Sequence, residues 1–349
     1  MLLETNVIAG AYLHDILEQP DALQRTLSGL DRHADLVKYA GDLAEARYSR
    51  VVLTGMGSSL FALYPLHLRL TQHGYSSLLM ETAELIHFLP TIFDAHTLII
   101  AVSQSGQSAE IVRLTGLAHG RCKLIAVTNS ASSTLAQQAD VTLLIQAGPE
   151  SSVSCKTYVS SLMALQWLGA VLTAGDLAAE NEALSSCIPA VRHYLAEWRE
   201  HVAELSSMLN GIRQIFVTGR GPSLATAQTG GLILKESTRF GAEGLSSPAF
   251  RHGPFEVLSR DVLVIIMAGG KSTEALNRTL ANDVDQAGGR SALVSTQAEL
   301  AAFRISPLPD SVRPIAEILP VQMLSLALAA SRGIEAGKFS LATKVTSVE

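Results

Sequence analysis

The segment SQSGQS at residues 103–108 carries four side chains that can donate hydrogen bonds to an anion: Ser103, Gln104, Ser105 and Ser108. The glycine among them lets the backbone approach a ligand closely. The segment contains no lysine, so it is not a Walker-type nucleotide loop. From these residues alone two interpretations stay open: a loop that binds phosphate, and an ordinary Ser/Gly-rich turn between a strand and a helix.

The elements on either side of this segment must position its side chains. The apolar run Leu98–Val102 precedes it and predicts a strand buried on both faces. A helical pattern begins near Ala109. The start of such a helix presents free N–H groups and a positive dipole end to the loop, which suits a phosphate.

Strand-like and helical stretches alternate through residues 51–145, which predicts parallel β-α-β units with helices on both faces of a sheet. The predicted strands lie at 51–54, 78–81, 98–102, 123–129 and 141–145. Ligands of such sheets bind beyond the carboxyl ends of the strands. The GMGSS loop (residues 55–59) and the SQSGQS loop would both lie there.

The pattern recurs in the second half of the chain. Strands are predicted at 214–218, 263–267, 291–295 and 303–306, and the first ends in the GRGPS loop (residues 219–223). Two weakly similar α/β halves explain this repeat. The third-strand loop of the second half is AGGKS (residues 268–272), so only the first half keeps the SQSGQS character.

The composition narrows the class of protein. With 349 residues, 48% hydrophobic and 17% charged, the chain has ample material for a core. A net charge of −6 argues against a nucleic-acid binder, and no uncharged apolar run approaches the ~20 residues of a membrane helix. We expect no metal, because the histidines lack paired ligand spacing. Three unpaired cysteines and no secretory signal favour the cytoplasm.

The order GMGSS, SQSGQS, GPESSVSCKTY, LKE, RHGP and the tail LATKVTSVE resembles the tandem sugar isomerase (SIS) family. It is most similar to the isomerase part of glucosamine-6-phosphate synthase, fructosamine-6-phosphate deglycases and a class of glucosamine-6-phosphate deaminases. The resemblance covers residues 45–349. It implies an α/β fold of two SIS domains, each a flavodoxin-like three-layer α/β/α unit. A chain that starts Met1-Leu2 has no N-terminal cysteine nucleophile, so we expect no glutaminase activity.

The resemblance implies the following order of domains: a helical segment (1–45), a phosphosugar-binding SIS domain (46–175), a helical connection (176–210), a second SIS domain (211–336) and a tail (337–349).

The resemblance also implies a role for the two loops of the first half. Ser103, Gln104, Ser105 and Ser108 would hold a sugar phosphate, helped by Ser58 or Ser59. Ser154, Cys155 and Lys156 would lie near the sugar, although their match needs a one-residue gap. A connecting turn is the alternative for that stretch.

Glu236 and His252 are the catalytic candidates. Glu236 lies on a helix predicted over 224–239, and His252 lies in a loop punctuated by Gly and Pro. By the resemblance, which includes the 16-residue spacing, Glu236 moves a proton between C1 and C2 of the open-chain sugar. His252 transfers the proton of the ring oxygen during opening.

Three positions depart from the synthase pattern. Ile233 stands where the synthase has a lysine three residues before the glutamate. Thr343 stands at the ungapped position of the tail lysine that forms an imine with the sugar, and Lys344 follows it. RHGP continues into Phe255-Glu256, which is more like the deglycases than the synthase. Glu256 is a second acid/base, a contact to a substrate amine or a structural carboxylate at the start of a helix.

The resemblance therefore implies a phosphosugar enzyme, at least a homodimer, that acts on an amino-sugar 6-phosphate by C1/C2 proton transfer, and we expect no cofactor. The reaction is of the isomerase or deaminase type. A sugar–amino-acid deglycase and a non-catalytic phosphosugar sensor are the alternatives. The small-molecule sugar phosphate is the expected partner.

Overall fold

Parallel strands form two separate sheets in the part of the chain that the computed structural model describes, residues 8–30, 34–341 and 344. The first sheet contains β1 (Arg50–Gly55), β2 (Ser77–Glu81), β3 (Thr97–Val102), β4 (Lys123–Thr128) and β5 (Val141–Leu144). The second contains β6 (Gln214–Gly219), β7 (Ala242–Ser246), β8 (Val262–Met267) and β9 (Arg290–Val294). The orders are β2-β1-β3-β4-β5 and β7-β6-β8-β9, so the second sheet repeats the first four positions of the first.

The described residues divide into two units, each built around one sheet. The first-repeat unit takes its residues from 21–149 and 156–185, together with Lys344. The second-repeat unit takes its residues from 8–20, 150–155 and 186–341. The N-terminal helix therefore belongs to the unit that contains the second sheet.

Helices connect the strands and flank the sheets. Up to β5 they are Ala11–Leu17, Gln19–Gly29, Ala34–Ala44, Ser58–Ala62, Tyr64–Gln72, Thr82–Phe88, Ala109–Ala118 and Thr134–Gln138. After β5 they are Lys156–Leu172, Leu177–Ala196, Trp198–Met208, Ser223–Thr238, Ser247–Arg251, Glu274–Gln286 and Pro314–Ser331.

Apolar side chains from both faces of each sheet form the cores. In the first-repeat unit, Val52, Ile99 and Leu124 pack with residues of helices Thr82–Phe88 and Ala109–Ala118. The opposite face is covered by helix Lys156–Leu172, every residue of which is buried. β3 is buried at all six positions, as its continuous apolar run predicts. The predicted three-layer α/β/α fold is confirmed.

Two details of the second sheet differ from the sequence-based prediction. β7, with the weakly apolar sequence AEGLS, was not predicted. The strand predicted at 303–306 is wrong: the structure has a 3-10 turn, Ala301–Phe303, and a single parallel bridge between Ser295 and Arg304. The carbonyl of Ala302 accepts a hydrogen bond from the Tyr194 hydroxyl, so this buried turn satisfies its backbone outside a sheet.

The helix Pro314–Ser331 is long and apolar enough to cross a membrane by length and composition. Its sequence contains Glu317, and 89% of the apolar stretch is buried within the protein. It packs on the first two described helices: Gln322 and Gln19, the first residue of helix Gln19–Gly29, exchange two side-chain amide hydrogen bonds of 2.9 and 3.1 Å, and the Ser325 hydroxyl donates to Tyr12 of helix Ala11–Leu17. Burial against the rest of its own unit accounts for its apolar composition.

Candidate functional sites

The GMGSS and SQSGQS loops meet at the carboxyl edge of the first sheet. β1 and β3 are neighbouring parallel strands, so both loops leave the same edge. A Cβ atom at Gly55 would lie 2.9 Å from the carbonyl oxygen of Val102, which shows how closely the two chain segments approach. The predicted convergence of these loops is therefore present in the structure.

Hydrogen bonds within the SQSGQS loop orient its side chains. The Ser103 hydroxyl accepts from the N–H of Gly106 at 3.1 Å, and the Ser105 hydroxyl accepts from the N–H of Gln107 at 3.2 Å. The carbonyl of Gln104 accepts from the N–H of Asn129 at 3.1 Å. A hydroxyl that accepts a bond still has its own proton to donate, so both serines can donate to a ligand oxygen.

The N-terminus of helix Ala109–Ala118 adds backbone donors to this loop. Ser108 precedes the helix in an extended conformation, and its side chain makes no capping hydrogen bond. Ser58 starts helix Ser58–Ala62 after Gly57, again without a side-chain cap. Ser59, Gln104 and Ser105 are half-buried, so a small ligand can reach them. The two loops hold no charged residue, so a phosphate here would be held by hydroxyls, amides and the helix dipole.

The SCK stretch (residues 154–156) contains residues that differ in burial and belong to different units. Ser154 is half-buried and belongs to the second-repeat unit. Lys156 is only 1% exposed and begins the buried helix Lys156–Leu172 of the first-repeat unit. Their roles toward a sugar stay predictions.

Glu236 lies in the last turn of helix Ser223–Thr238. The helix ends at Arg239, which adopts a left-handed conformation (φ 53°) and donates its N–H to the carbonyl of Lys235. The negative end of a helix dipole favours cations, so a half-buried carboxylate here does not stabilise its helix. Its role as a proton-transfer base stays a prediction.

Several polar groups of the second-repeat unit, Glu236 among them, interact electrostatically with Tyr12 or lie beside it. We call Tyr12, Glu150, Ser152, Cys155 and Gly337, together with Glu236, the Glu236 cluster. Burial raises the pKa of the Tyr12 phenol well above its ordinary value, and the charges of Cys155, Glu236 and Glu150 raise it further. The Tyr12 hydroxyl therefore lies within electrostatic range of all three groups and stays protonated.

The start of the tail is fixed within the same cluster. The N–H of Gly337 donates to the carbonyl of Ser237 at 3.1 Å, and its own carbonyl accepts from the Ser152 hydroxyl at 2.7 Å. The Cys155 N–H donates to Glu150 at 3.0 Å. Sequence reasoning missed Tyr12, Glu150 and Gly337 as site residues, and for Tyr12 the only signal was an apolar helix face.

The other catalytic candidates are placed as follows. His252 is exposed and follows helix Ser247–Arg251; its N–H donates to the carbonyl of Ala249. Glu256 is exposed in the 3-10 turn Pro254–Val257. Lys344 is half-buried, while Thr343 lies outside the described residues. Ile233 is 1% exposed, so the position of the synthase lysine is occupied here by a core side chain.

Close backbone contact between helix Ser223–Thr238 and β7 holds Glu236 in place. A Cβ atom at Gly231 would lie 2.3 Å from the backbone nitrogen of Gly244. We expect Gly231→Ala to lower the free energy of unfolding by about 1–3 kcal/mol, because the strand backbone has no room to retreat. Urea unfolding measures this. Gly241→Ala, where nothing lies within 4 Å, is the control; equal losses in both variants would contradict the packing argument.

A buried carboxyl group lies beside the GRGPS loop. Glu317 accepts a hydrogen bond from the Ser223 hydroxyl at 3.0 Å, and its second oxygen has no hydrogen-bond partner among the described residues. Burial raises the pKa of Glu317 from 4.5 to about 7, against the opposing effects of Ser223 and Arg313.

This raised pKa predicts a pH-dependent stability. The folded chain keeps a proton that the unfolded chain has released, so stability falls as pH rises from about 4.5 to 7. The glutamine in Glu317→Gln stays neutral at every pH. The free energy of unfolding of this variant should therefore exceed that of the wild type by about 3 kcal/mol at pH 8 and equal it below pH 4.5. Denaturant unfolding at both pH values measures this, with the exposed Glu299→Gln as control. A gain independent of pH would contradict the assignment.

Two parallel sheets of the same strand order, each flanked by helices and the first with a hydroxyl-rich loop at its carboxyl edge, define the class of tandem α/β/α repeat proteins. The sequence profile of the SIS domain matches residues 42–170 and 208–332, and the chain belongs to the SIS domain family.

The relatives agree with this membership. The glutamine–fructose-6-phosphate aminotransferase (isomerizing) of Pyrococcus horikoshii is 29% identical over 344 residues, which are 93% of this chain and 56% of the relative. The chain thus spans about half the length of the curated relatives it matches. The C-terminal domain of the glucosamine-fructose-6-phosphate aminotransferase of Francisella tularensis has the same fold, with 18% identity, a TM-score of 0.83 and coverage of 95% of this chain and 98% of that one. The glucosamine-6-phosphate deaminase of Thermotoga maritima has it too, with 17% identity, a TM-score of 0.76 and coverage of 97% and 100%.

Proposed function

We propose that this protein is an enzyme that binds an amino-sugar 6-phosphate and transfers a proton between C1 and C2 of its open-chain form. The observation that carries the proposal is the carboxylate of Glu236, placed against its helix dipole within a buried polar cluster. The SQSGQS loop would hold the phosphate, with Ser58 or Ser59 from the GMGSS loop.

In the proposed reaction His252 moves the proton of the ring oxygen and the sugar ring opens. Glu236 then takes the proton from C2 of an aldose, and the electron pair of that C–H bond forms an enediol or enamine. Returning the proton to C1 completes the conversion to a ketose or its imine, and water releases ammonia from the imine. Lys344 would contact the sugar carbonyl, and Ser154 and Lys156 the sugar hydroxyls.

We propose deglycation as a second candidate function. Ile233 is buried in the core face of its helix, so no cation stands three residues before Glu236 to stabilise an enolate. The stretch Phe255-Glu256 places an exposed carboxylate four residues after His252, where it could contact the amine of a sugar–amino-acid adduct.

We further propose that the enzyme works in the cytoplasm as a homodimer or a higher homo-oligomer. The three cysteines, Cys122, Cys155 and Cys187, form no disulfide among the described residues and are buried, which suits a reducing compartment. His252 is exposed on its own chain, so a second copy would be needed to enclose it in a site.

The test incubates the purified protein with three substrates in deuterated water: glucosamine 6-phosphate, fructose 6-phosphate with ammonia, and the fructosamine 6-phosphate adduct of an amino acid. Proton NMR follows the products. Interconversion of the first two establishes the isomerase or deaminase. Release of amino acid from the adduct alone establishes the deglycase. Binding without turnover or deuterium uptake would leave a phosphosugar sensor and contradict the enzymatic proposal.

A further inference from the structure

Cations gather at the carboxyl edge of the second sheet. They are Arg220 in the GRGPS loop, Arg251 at the end of the helix after β7, and Lys271 in the AGGKS loop. The corresponding GMGSS and SQSGQS loops of the first sheet carry no charge. The corresponding edges of the two sheets therefore differ in charge.

Arg220 has an unusual environment for a cation. It is half-buried, and among the described residues no carboxylate lies within ion-pair distance of it. Its Nε donates to the side-chain oxygen of Asn277 at 3.2 Å. Burial and the neighbouring Arg251 guanidinium both lower the pKa of Arg220. A partly desolvated charge beside a like charge is costly unless an anion compensates it.

Both guanidinium groups are held in place by helix Glu274–Gln286. Asn277 donates to the carbonyls of Met267 and Ala268 at 2.9 and 3.0 Å, so it fixes Arg220 over the end of β8. Arg251 pairs with Asp283 on the same helix. Groups fixed before a ligand arrives lose little entropy on binding it.

The backbone beneath these cations repeats that of the SQSGQS loop. The N–H of Ala268 donates to the carbonyl of Val294, as the N–H of Ser103 donates to the carbonyl of Val127. Two of the nearby carboxylates have an arginine partner: Asp283 pairs with Arg251, and Asp310 pairs with Arg313 at 2.7 Å. Among the described residues Arg220 and Lys271 have no ion-pair partner, and they give this edge its positive charge.

We propose that Arg220 and Arg251 form a second anion site, which binds the phosphate of a phosphorylated small molecule at the carboxyl edge of the second sheet. Paired guanidinium groups suit a phosphate dianion because each can donate two parallel hydrogen bonds. The site is separate from the SQSGQS loop and does not depend on the proposed reaction. This second site lies at the start of helix Ser223–Thr238, and Glu236 lies about 20 Å away near the end of the same helix. A ligand at the second site is therefore an effector and not the substrate on which Glu236 acts.

Isothermal titration with glucitol 6-phosphate, a sugar phosphate without a carbonyl carbon to react, tests the site. We expect two equivalents bound per wild-type chain and one in the Ser103→Ala/Ser105→Ala double variant. Adding Arg220→Gln to the double variant should weaken the remaining binding at least about tenfold. Arg251→Gln is the second variant, and Arg213→Gln, at the opposite edge of the same sheet, is the control.

A single equivalent per wild-type chain that Arg220→Gln and Arg251→Gln both leave unchanged would overturn the proposal. Residual binding that Arg220→Gln and Arg251→Gln both leave unchanged would overturn it as well. Inorganic phosphate added as a competitor should displace the second equivalent, and failure to do so would contradict recognition through the phosphate. Turnover is measured separately, so loss of the second site and loss of the proposed reaction are distinguishable.

Discussion

Replacing Glu236 by glutamine is expected to abolish deuterium uptake at C1 and C2 and to lower turnover by about 10²–10⁴-fold. Glutamine has the shape of glutamate but cannot accept the proton. Helix Ser223–Thr238 keeps its contact with β7, so the fold should not change. The measurement is proton NMR of sugar phosphate in deuterated water, with binding of glucitol 6-phosphate measured in parallel.

The control for this variant is Glu243→Gln, an exposed carboxylate on β7 that the proposed reaction does not use. It should exchange deuterium at the wild-type rate. If Glu236→Gln exchanged as fast as this control, Glu236 would not be the base. If Glu236→Gln lost sugar-phosphate binding as well, its defect would lie in the structure rather than in proton transfer.

Gly106→Ala is expected to remove sugar-phosphate binding to the first repeat. Gly106 has a φ of +62°, and a Cβ atom there would lie 2.3 Å from the Ser133 hydroxyl oxygen and 2.6 Å from its Cβ. The loop would have to move away, which breaks the hydrogen bond between the Gly106 N–H and Ser103. We expect the dissociation constant of this equivalent to rise at least about 100-fold, since several loop donors are lost together.

Gly120→Ala is the matched control. Gly120 has a φ of +70° but nothing within 4 Å of an added Cβ atom. Both substitutions therefore carry the cost of a left-handed alanine, of the order of 1–2 kcal/mol, and only Gly106→Ala adds a clash. Titration with glucitol 6-phosphate and thermal unfolding compare the two variants. Equal effects on binding would show that the conformation of this loop does not matter for the phosphate.

The meeting of the SQSGQS and GMGSS loops could be predicted, because it depends on residues that are close in sequence. Leu98–Val102 specifies a buried strand through its own apolar run, and the polar residues after it must lie at the strand's end. Parallel pairing then brings 55–59 to the same edge, and the structure confirms the fold that this requires. The roles of Ser103, Gln104 and Ser105 stay predictions.

Glu236 and Cys155 were predicted from the resemblance, but the approach of Tyr12 and Gly337 to them was not, because these residues come from distant parts of the chain. Tyr12 reads only as one residue of an apolar helix face, and Gly337 as a turn. Their meeting depends on how the helix Pro314–Ser331 packs, which no local pattern encodes. β7 was missed for a related reason: its glycine serves close contact with helix Ser223–Thr238, and glycine lowers the strand signal.

The pair of side-chain hydrogen bonds between Gln19 and Gln322 has a consequence for biosynthesis. The two residues are 303 positions apart, yet both belong to the second-repeat unit. At ~5–20 residues per second, a ribosome needs about 15–60 seconds to reach the second after making the first. The N-terminal helix must wait that long for its binding surface, with Tyr12 and Ile16 exposed. During that time this apolar segment of the nascent chain is a candidate for chaperone binding.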